Sequence, residues 1–166
     1  MRLAVCVKRV PAPGARINVM ADGRAVDAAH LGFTTSPHEE CAVEEAVRLV
    51  EAHGGTVTVL TVGPPEAEEQ LRYAASVGAT DLVLVPIADE GVAWDPQRTA
   101  AVLAEALSRL EAESGSPFDL ILFGNESADS GGYQVGLRVA HALGRPCATG
   151  LKAVAVGDGE ISCEQE

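Results

Sequence analysis

The residues best suited to holding a ligand lie between residues 119 and 143, D-L-I-L-F-G-N-E-S-A-D-S-G-G-Y-Q-V-G-L-R-V-A-H-A-L. The first six form an apolar run without polar alternation, the pattern of a strand buried on both faces. Val135, Val139, Ala140 and Leu143 recur at helical spacing, so a helix is expected over residues 133–143. Small and polar residues separate the two and end in Gly131-Gly132. Strand, glycine-containing loop and helix start together suit a phosphate. The loop N–H groups and the first helical turn point at the anion, and bare glycine lets the backbone come close. The same order of elements also makes a plain βα connection with no ligand.

Bond-breaking chemistry finds less support. The dinucleotide fingerprint G-x-G-x-x-G, the P-loop G-x-x-x-x-G-K-[ST] and the nucleophile elbow G-x-S-x-G do not occur. Ser127 and Asp129 would suit a hydrolytic site, but no base accompanies them, and both are ordinary loop residues. The four histidines, His30, His38, His53 and His141, form no H-E-x-x-H. In His38-Glu39-Glu40-Cys41, consecutive helical positions point in different directions, so no metal site is expected. The pattern argues for binding, with no catalysis of its own.

The elements that would position this loop follow from periodicity. Residues 3–7 read as a buried strand, followed by a proline-containing loop; residues 17–19 and 24–26 flank Asp22-Gly23 as a hairpin. Ser36-Pro37-His38-Glu39 reads as a helix start: Ser36 as cap, Pro37 at the first position, and Glu39 completing a capping box. That helix buries Val43, Ala46, Val47 and Val50 and stops at Gly54-Gly55. A β-branched strand spans residues 56–62. A second helix turns Leu71, Ala74 and Ala75 inward and stops at Gly78, and residues 81–85 make a third buried strand. Asp95-Pro96 caps a third helix with an apolar stripe of Leu103, Ala106, Leu107 and Leu110. Residues 153–156 and 160–163 read as two strands joined across Gly157-Asp158-Gly159. Strands alternating with helices imply βαβ units, and right-handed crossovers yield a Rossmann-like, three-layer doubly wound parallel sheet. The fold class expected is therefore α/β with a β-hairpin extension. The ligand belongs at the carboxyl ends of its strands, where the winding reverses.

Composition sets the outer limits. The 166 residues, 47% of them hydrophobic, suit one α/β domain that buries roughly 70% of its unfolded surface. A net charge of −12 argues against nucleic acid as the main partner. The charge is uneven: Arg2, Lys8, Arg9, Arg16 and Arg24 make a basic island at the N-terminus, faced by Asp22 alone. Cys6, Cys41, Cys147 and Cys163 form no C-x-x-C pair, and Cys6 and Cys41 read as small core residues. The N-terminal apolar run is too short for a signal peptide and no segment approaches the ~20 residues that span a bilayer, so a cytoplasmic protein, not embedded in a membrane, is expected. Ending on a strand, the chain suggests that more protein follows Glu166.

Four segments together resemble the β subunit of electron transfer flavoproteins: A-V-C-V-K-R-V-P from Ala4; S-P-H-E-E-C-A-V-E-E-A-V-R-L from Ser36; L-R-Y-A-A-S-V-G-A from Leu71; and Gly124 to Gly136 with Asp129 and Gln134-Val135-Gly136. They keep the family's order and spacing over essentially the whole chain. The resemblance implies an adenine-nucleotide-binding domain that works in a heterodimer with an α subunit. It implies a redox FAD held mainly by α, and electrons passed from acyl-CoA or related dehydrogenases towards a quinone reductase. In the β subunit it implies AMP as a structural ligand, or a second FAD. Carried over by position, that site comprises Cys6, Ser36, Pro37, His38, Glu39, Val62, Gly124, Asn125, Glu126, Ser127, Ala128, Asp129, Ser130, Gly131, Gly132, Tyr133, Gln134 and Val135. N–H groups of residues 131–134 would hold the phosphate, with Lys8 or Arg9 as distant support, and backbone at Cys6 and Val62 would frame the adenine.

This chain departs from the family in several places. Ser36 stands where Asn is usual and His38 where an apolar residue is usual; the acidic loop is reduced to Asp129; no tyrosine follows Arg9; and the residues up to Glu166 are expected not to include the family's C-terminal portion with the partner-recognition loop. A competing reading is a regulatory or stress-type ATP-binding homodimer. Such domains carry a G-x-x-G-x(9)-G-[ST] loop whose spacing Gly124 and Gly131-Gly132 do not give. An ATP-pyrophosphatase would need S-G-G-x-D-S after the first strand, where this chain has R-V-P-A-P.

Overall fold

Leu3, Ala4 and Val5 are fully buried because their strand has neighbours on both edges and helices on both faces. In the computed structural model, which describes residues 1–87, 94–157 and 159–166, this is β1 (Arg2–Cys6). The chain continues through β2 (Arg9–Pro11), β3 (Phe33–Thr35), α1 (Pro37–His53), β4 (Thr56–Gly63), α2 (Glu68–Val77) and β5 (Asp81–Pro86). It ends with α3 (Pro96–Ser114), β6 (Leu120–Phe123), α4 (Val135–Ala142), β7 (Leu151–Gly157) and β8 (Glu160–Gln165).

The main sheet is parallel with the order β5-β4-β1-β6. Its register places Cys6 beside Leu60 on one side and Phe123 on the other. Alternate residues face opposite layers. Leu3, Val5, Val57 and Val59 pack on Val43, Ala46, Val47, Leu49, Leu71 and Ala74 of α1 and α2. Ala4, Cys6 and Leu60 pack on Ala100, Leu103, Leu107 and Val139 of α3 and α4, with Phe118. The expected three-layer, doubly wound fold is thus formed. From β1 the winding runs outward through β4 and β5, then α3 carries the chain back to β6 on the other side of β1. The reversal lies between β1 and β6.

Several sequence expectations need correction. Residues 81–85 and 119–124 read as buried strands, yet β5 and β6 are the two edges of the described sheet. Leu82 is 40% exposed and β6 is half-buried throughout. An apolar run reports covered faces and says nothing of the hydrogen-bonding edge. Cys41 and Ala75 are exposed, because each falls on the outer side of its helix. The hairpin around Asp22-Gly23 is reduced to one bridge, Val19 to Val26, while the antiparallel β2–β3 pair, hidden by its prolines, was not expected. The β7–β8 hairpin forms as read, although Asp158 in its turn lies outside the described residues. It meets the body where Arg48 Nη2 donates to the Val154 carbonyl at 2.9 Å.

Candidate functional site

At the winding reversal the carboxyl ends of β1 and β6 meet the N-terminus of α1. Gly124, directly after β6, comes so close to α1 that a Cβ there would lie 2.6 Å from Glu39 Cγ and 3.1 Å from Glu39 N. Ser36 is buried and adopts an extended conformation ahead of Pro37, as an N-cap should. Its hydroxyl, however, makes no cap bond to the helix. It donates to the Glu126 carbonyl at 3.3 Å and accepts from Ala128 N–H at 3.2 Å, so it fastens the loop after β6 to the start of α1.

Glu39 stays near the Ser36 backbone, as a capping box expects, but its main partner is elsewhere. It is only 6% exposed, and its Oε2 accepts the Lys8 backbone N–H at 2.7 Å. Burial pushes its carboxyl up to about 7, against the smaller downward effects of the Lys8 and Ser36 backbone bonds and the Lys8 charge. Burial, then the Glu39 charge, also pushes the Cys6 thiol well above its ordinary value, so Cys6 is not a reactive thiol.

Lys8 reaches in the other direction with its side chain. Its Nζ donates to both carboxylate oxygens of Asp129 at 2.7 Å. Burial raises Asp129, but hydrogen bonds from Lys8 and Ser127 and the Lys8 charge outweigh it and hold the carboxyl below its usual range. The sequence offers Lys8 only as distant support; in the structure its ammonium sits against Asp129 of the loop. The signal was its position, two residues beyond the buried strand that borders the reversal.

The loop of residues 124–134 supplies donors but also acids. Ser127 and Ser130 share a hydroxyl–hydroxyl bond at 2.7 Å, and Gly131 N–H donates to the Ser127 carbonyl at 2.9 Å, so that N–H is already paired within the loop. Among the described residues, the N–H groups of Gly132, Tyr133 and Gln134 have no acceptor. Those of the first turn of α4 have none within the helix. Tyr133 holds φ +52, a left-handed conformation uncommon for a bulky residue, and a hydrogen bond to Glu126 pushes its hydroxyl above the ordinary value. α4 begins at Val135, two residues later than its apolar spacing suggests.

The predicted site residues are therefore partly gathered. Ser36, Glu39 and Gly124 pack together; Pro37 and His38 are exposed at the α1 start, as is Asn125 in the loop; Glu126, Ala128, Asp129 and Gly131–Val135 line the loop and helix start. Cys6 and Val62 stand apart in role. Their side chains belong to the α3–α4 core, and the Cys6 backbone is enclosed by strands on both sides. The free N–H groups of a loop that also holds an ammonium through Asp129 can take a phosphate. Among the described residues there is no cluster of metal-ligating side chains, and no helix is long and apolar enough to cross a membrane.

The sequence model of the electron transfer flavoprotein domain matches residues 25–166. The chain belongs to the electron transfer flavoprotein β family. It is 37% identical over 131 residues to the electron transfer flavoprotein subunit beta of Bacillus subtilis, covering 79% of this chain and 49% of that protein. To the subunit of the same name from Syntrophomonas wolfei it is 32% identical over 167 residues, covering 100% of this chain and 62% of the relative. The acryloyl-CoA reductase electron transfer subunit gamma of Anaerotignum propionicum is 34% identical over 149 residues, 90% of this chain and 54% of that one. The chain thus spans about half to three fifths of the length of these curated relatives. The electron transfer flavoprotein match begins at residue 25, so Lys8 lies outside the matched domain and Glu39 and Asp129 lie inside it.

Proposed function

We propose that this chain is the nucleotide-binding part of an electron transfer flavoprotein β subunit, holding AMP or a second FAD at the β1–β6 reversal. The observation that carries this is the row of N–H groups at Gly132, Tyr133 and Gln134, without acceptors among the described residues, in a loop whose Asp129 holds the Lys8 ammonium, in a chain of this family. Those N–H groups would hold the phosphate. Ser36 keeps the loop in place, and the backbone at Val62 with residues 36–39 would frame the adenine. When bound, an FAD supplies electron transfer, whereas AMP supplies only structure. The residues fit such a ligand as donors and frame, and we assign no bond-making step to this chain. Its partners on this reading are an electron transfer flavoprotein α subunit, which shares the redox FAD, then acyl-CoA or related dehydrogenases and a quinone reductase. Named relatives that serve electron transfer support that reading.

Mass spectrometry of the small molecules released from the denatured, purified chain tests it. AMP or FAD at near-stoichiometric amount is expected. Neither molecule released, together with no thermal shift on adding either, would reject the reading.

A further inference from the structure

We propose that Asp129 is an internal stand-in for the ligand's phosphate: it holds the Lys8 ammonium until an entering phosphate takes that ammonium over. The inference rests on the nucleotide-binding reading above and concerns how the site tells a phosphorylated ligand from a bare nucleoside.

Three observations carry it. The pair is geometrically complete, with Nζ 2.7 Å from both oxygens, yet open to solvent, the two side chains being 45% and 29% exposed. An exposed pair of this kind is weak, and lysine's flexible stem lets the head exchange partners while the backbone stays in place. Here the backbone is fixed independently, by Lys8 N–H donating to the buried Glu39 carboxylate. Finally, Asp129 lies three to five residues before the unpaired N–H groups of Gly132 to Gln134, so the ammonium already stands at the loop that would hold the phosphate. A phosphate dianion with three strong acceptor oxygens outcompetes one carboxylate for that ammonium. Without Lys8, the loop would offer it two acids, Glu126 and Asp129, on a chain of net charge −12. The neighbouring cations are otherwise engaged: Arg9 lies over the Phe33 ring and Arg138 donates to the Gln134 side chain.

Titration calorimetry of the full chain, refolded free of nucleotide, with AMP and with adenosine at low salt decides the matter. Asp129→Asn frees the ammonium and is expected to tighten AMP about two- to fivefold, leaving adenosine within about twofold. Lys8→Met is expected to weaken AMP about tenfold, again sparing adenosine, and Lys8→Arg to keep most of the AMP preference. Far-UV circular dichroism confirms the fold of each variant, and Asp129→Asn decides alone where Lys8→Met misfolds. If both substitutions weaken AMP and adenosine by the same factor, the pair is only a latch and the inference fails. AMP binding that Asp129→Asn does not change overturns it as well. An unsubstituted chain that binds neither AMP, adenosine nor FAD overturns the nucleotide reading, and this inference with it.

Discussion

Gly124 and Glu39 are packed so closely that a methyl group on the glycine would sit 2.6 Å from Glu39 Cγ. The conflict is with the stem of a buried residue and with the backbone of α1, at 3.1 Å from Glu39 N and 3.3 Å from the His38 carbonyl carbon. Neither can swing away as a surface side chain would. Gly124→Ala is therefore expected to cost about 2 to 3 kcal/mol, the scale of overpacking in a tight interior. Urea unfolding measures it, and a loss under about 0.5 kcal/mol would show that the α1 start yields freely.

The carboxyl of Glu39 titrates at about 7 in the fold and near 4.5 in the unfolded chain. Between those values the native state binds more protons, so this group's contribution to stability is complete below about pH 4.5. It is lost as the pH rises towards 7 and is constant above. The full difference is on the order of 3 kcal/mol. Asp129, held below the usual carboxylate range, stays ionised across the window and adds no slope of its own. Glu39→Gln keeps an acceptor for Lys8 N–H and removes the titration. Its advantage over the parent chain is expected to grow from pH 5 to pH 8; parallel stability curves for the two proteins would refute the assignment.

Much of this arrangement was legible in the sequence, and the part that was not has a definable cause. Hydrophobic periodicity located the strands and helices of the doubly wound sheet because burial of faces is local information. The strand edges were not legible: β6 read as a strand buried on both faces, and only the chain's return through α3 makes it a border. At the site, Ser36-Pro37-His38-Glu39 read as a self-contained capping box. In the fold the Ser36 hydroxyl is drawn away by Glu126 and Ala128, and Glu39 takes on Lys8 as a partner distant in sequence. Capping preferences describe an isolated helix end and are silent about a loop 90 residues away.

Two helix starts that look alike in sequence should respond differently to loss of the polar side chain. Asp95 caps α3 directly, its Oδ1 accepting Arg98 N–H at 2.7 Å, so Asp95→Ala should cost about 1 kcal/mol and fray the first turn of α3. Ser36→Ala removes no cap bond; it unties residues 126–128 from α1. Hydrogen exchange is expected to show faster exchange at Ala128 with α1 unchanged, and nucleotide affinity should fall. Faster exchange confined to the first turn of α1 would return Ser36 to a capping role.

Gly132 offers the cleanest separation of fold from ligand. A Cβ built there meets nothing nearer than Ser130 Oγ at 4.0 Å, and its φ lies outside the left-handed range that Gly131 occupies at +56. A Cβ at residue 132 therefore meets no crowding and no left-handed backbone, and Gly132→Val should leave far-UV circular dichroism and unfolding midpoint close to those of the parent chain. The same side chain would enter the space in front of the unpaired N–H groups of Gly132 to Gln134, where the phosphate is proposed to sit. Loss of nearly all retained nucleotide, measured by mass spectrometry of the denatured protein, is the expected result. A folded Gly132→Val chain carrying its full complement of nucleotide would mean that the phosphate is held elsewhere.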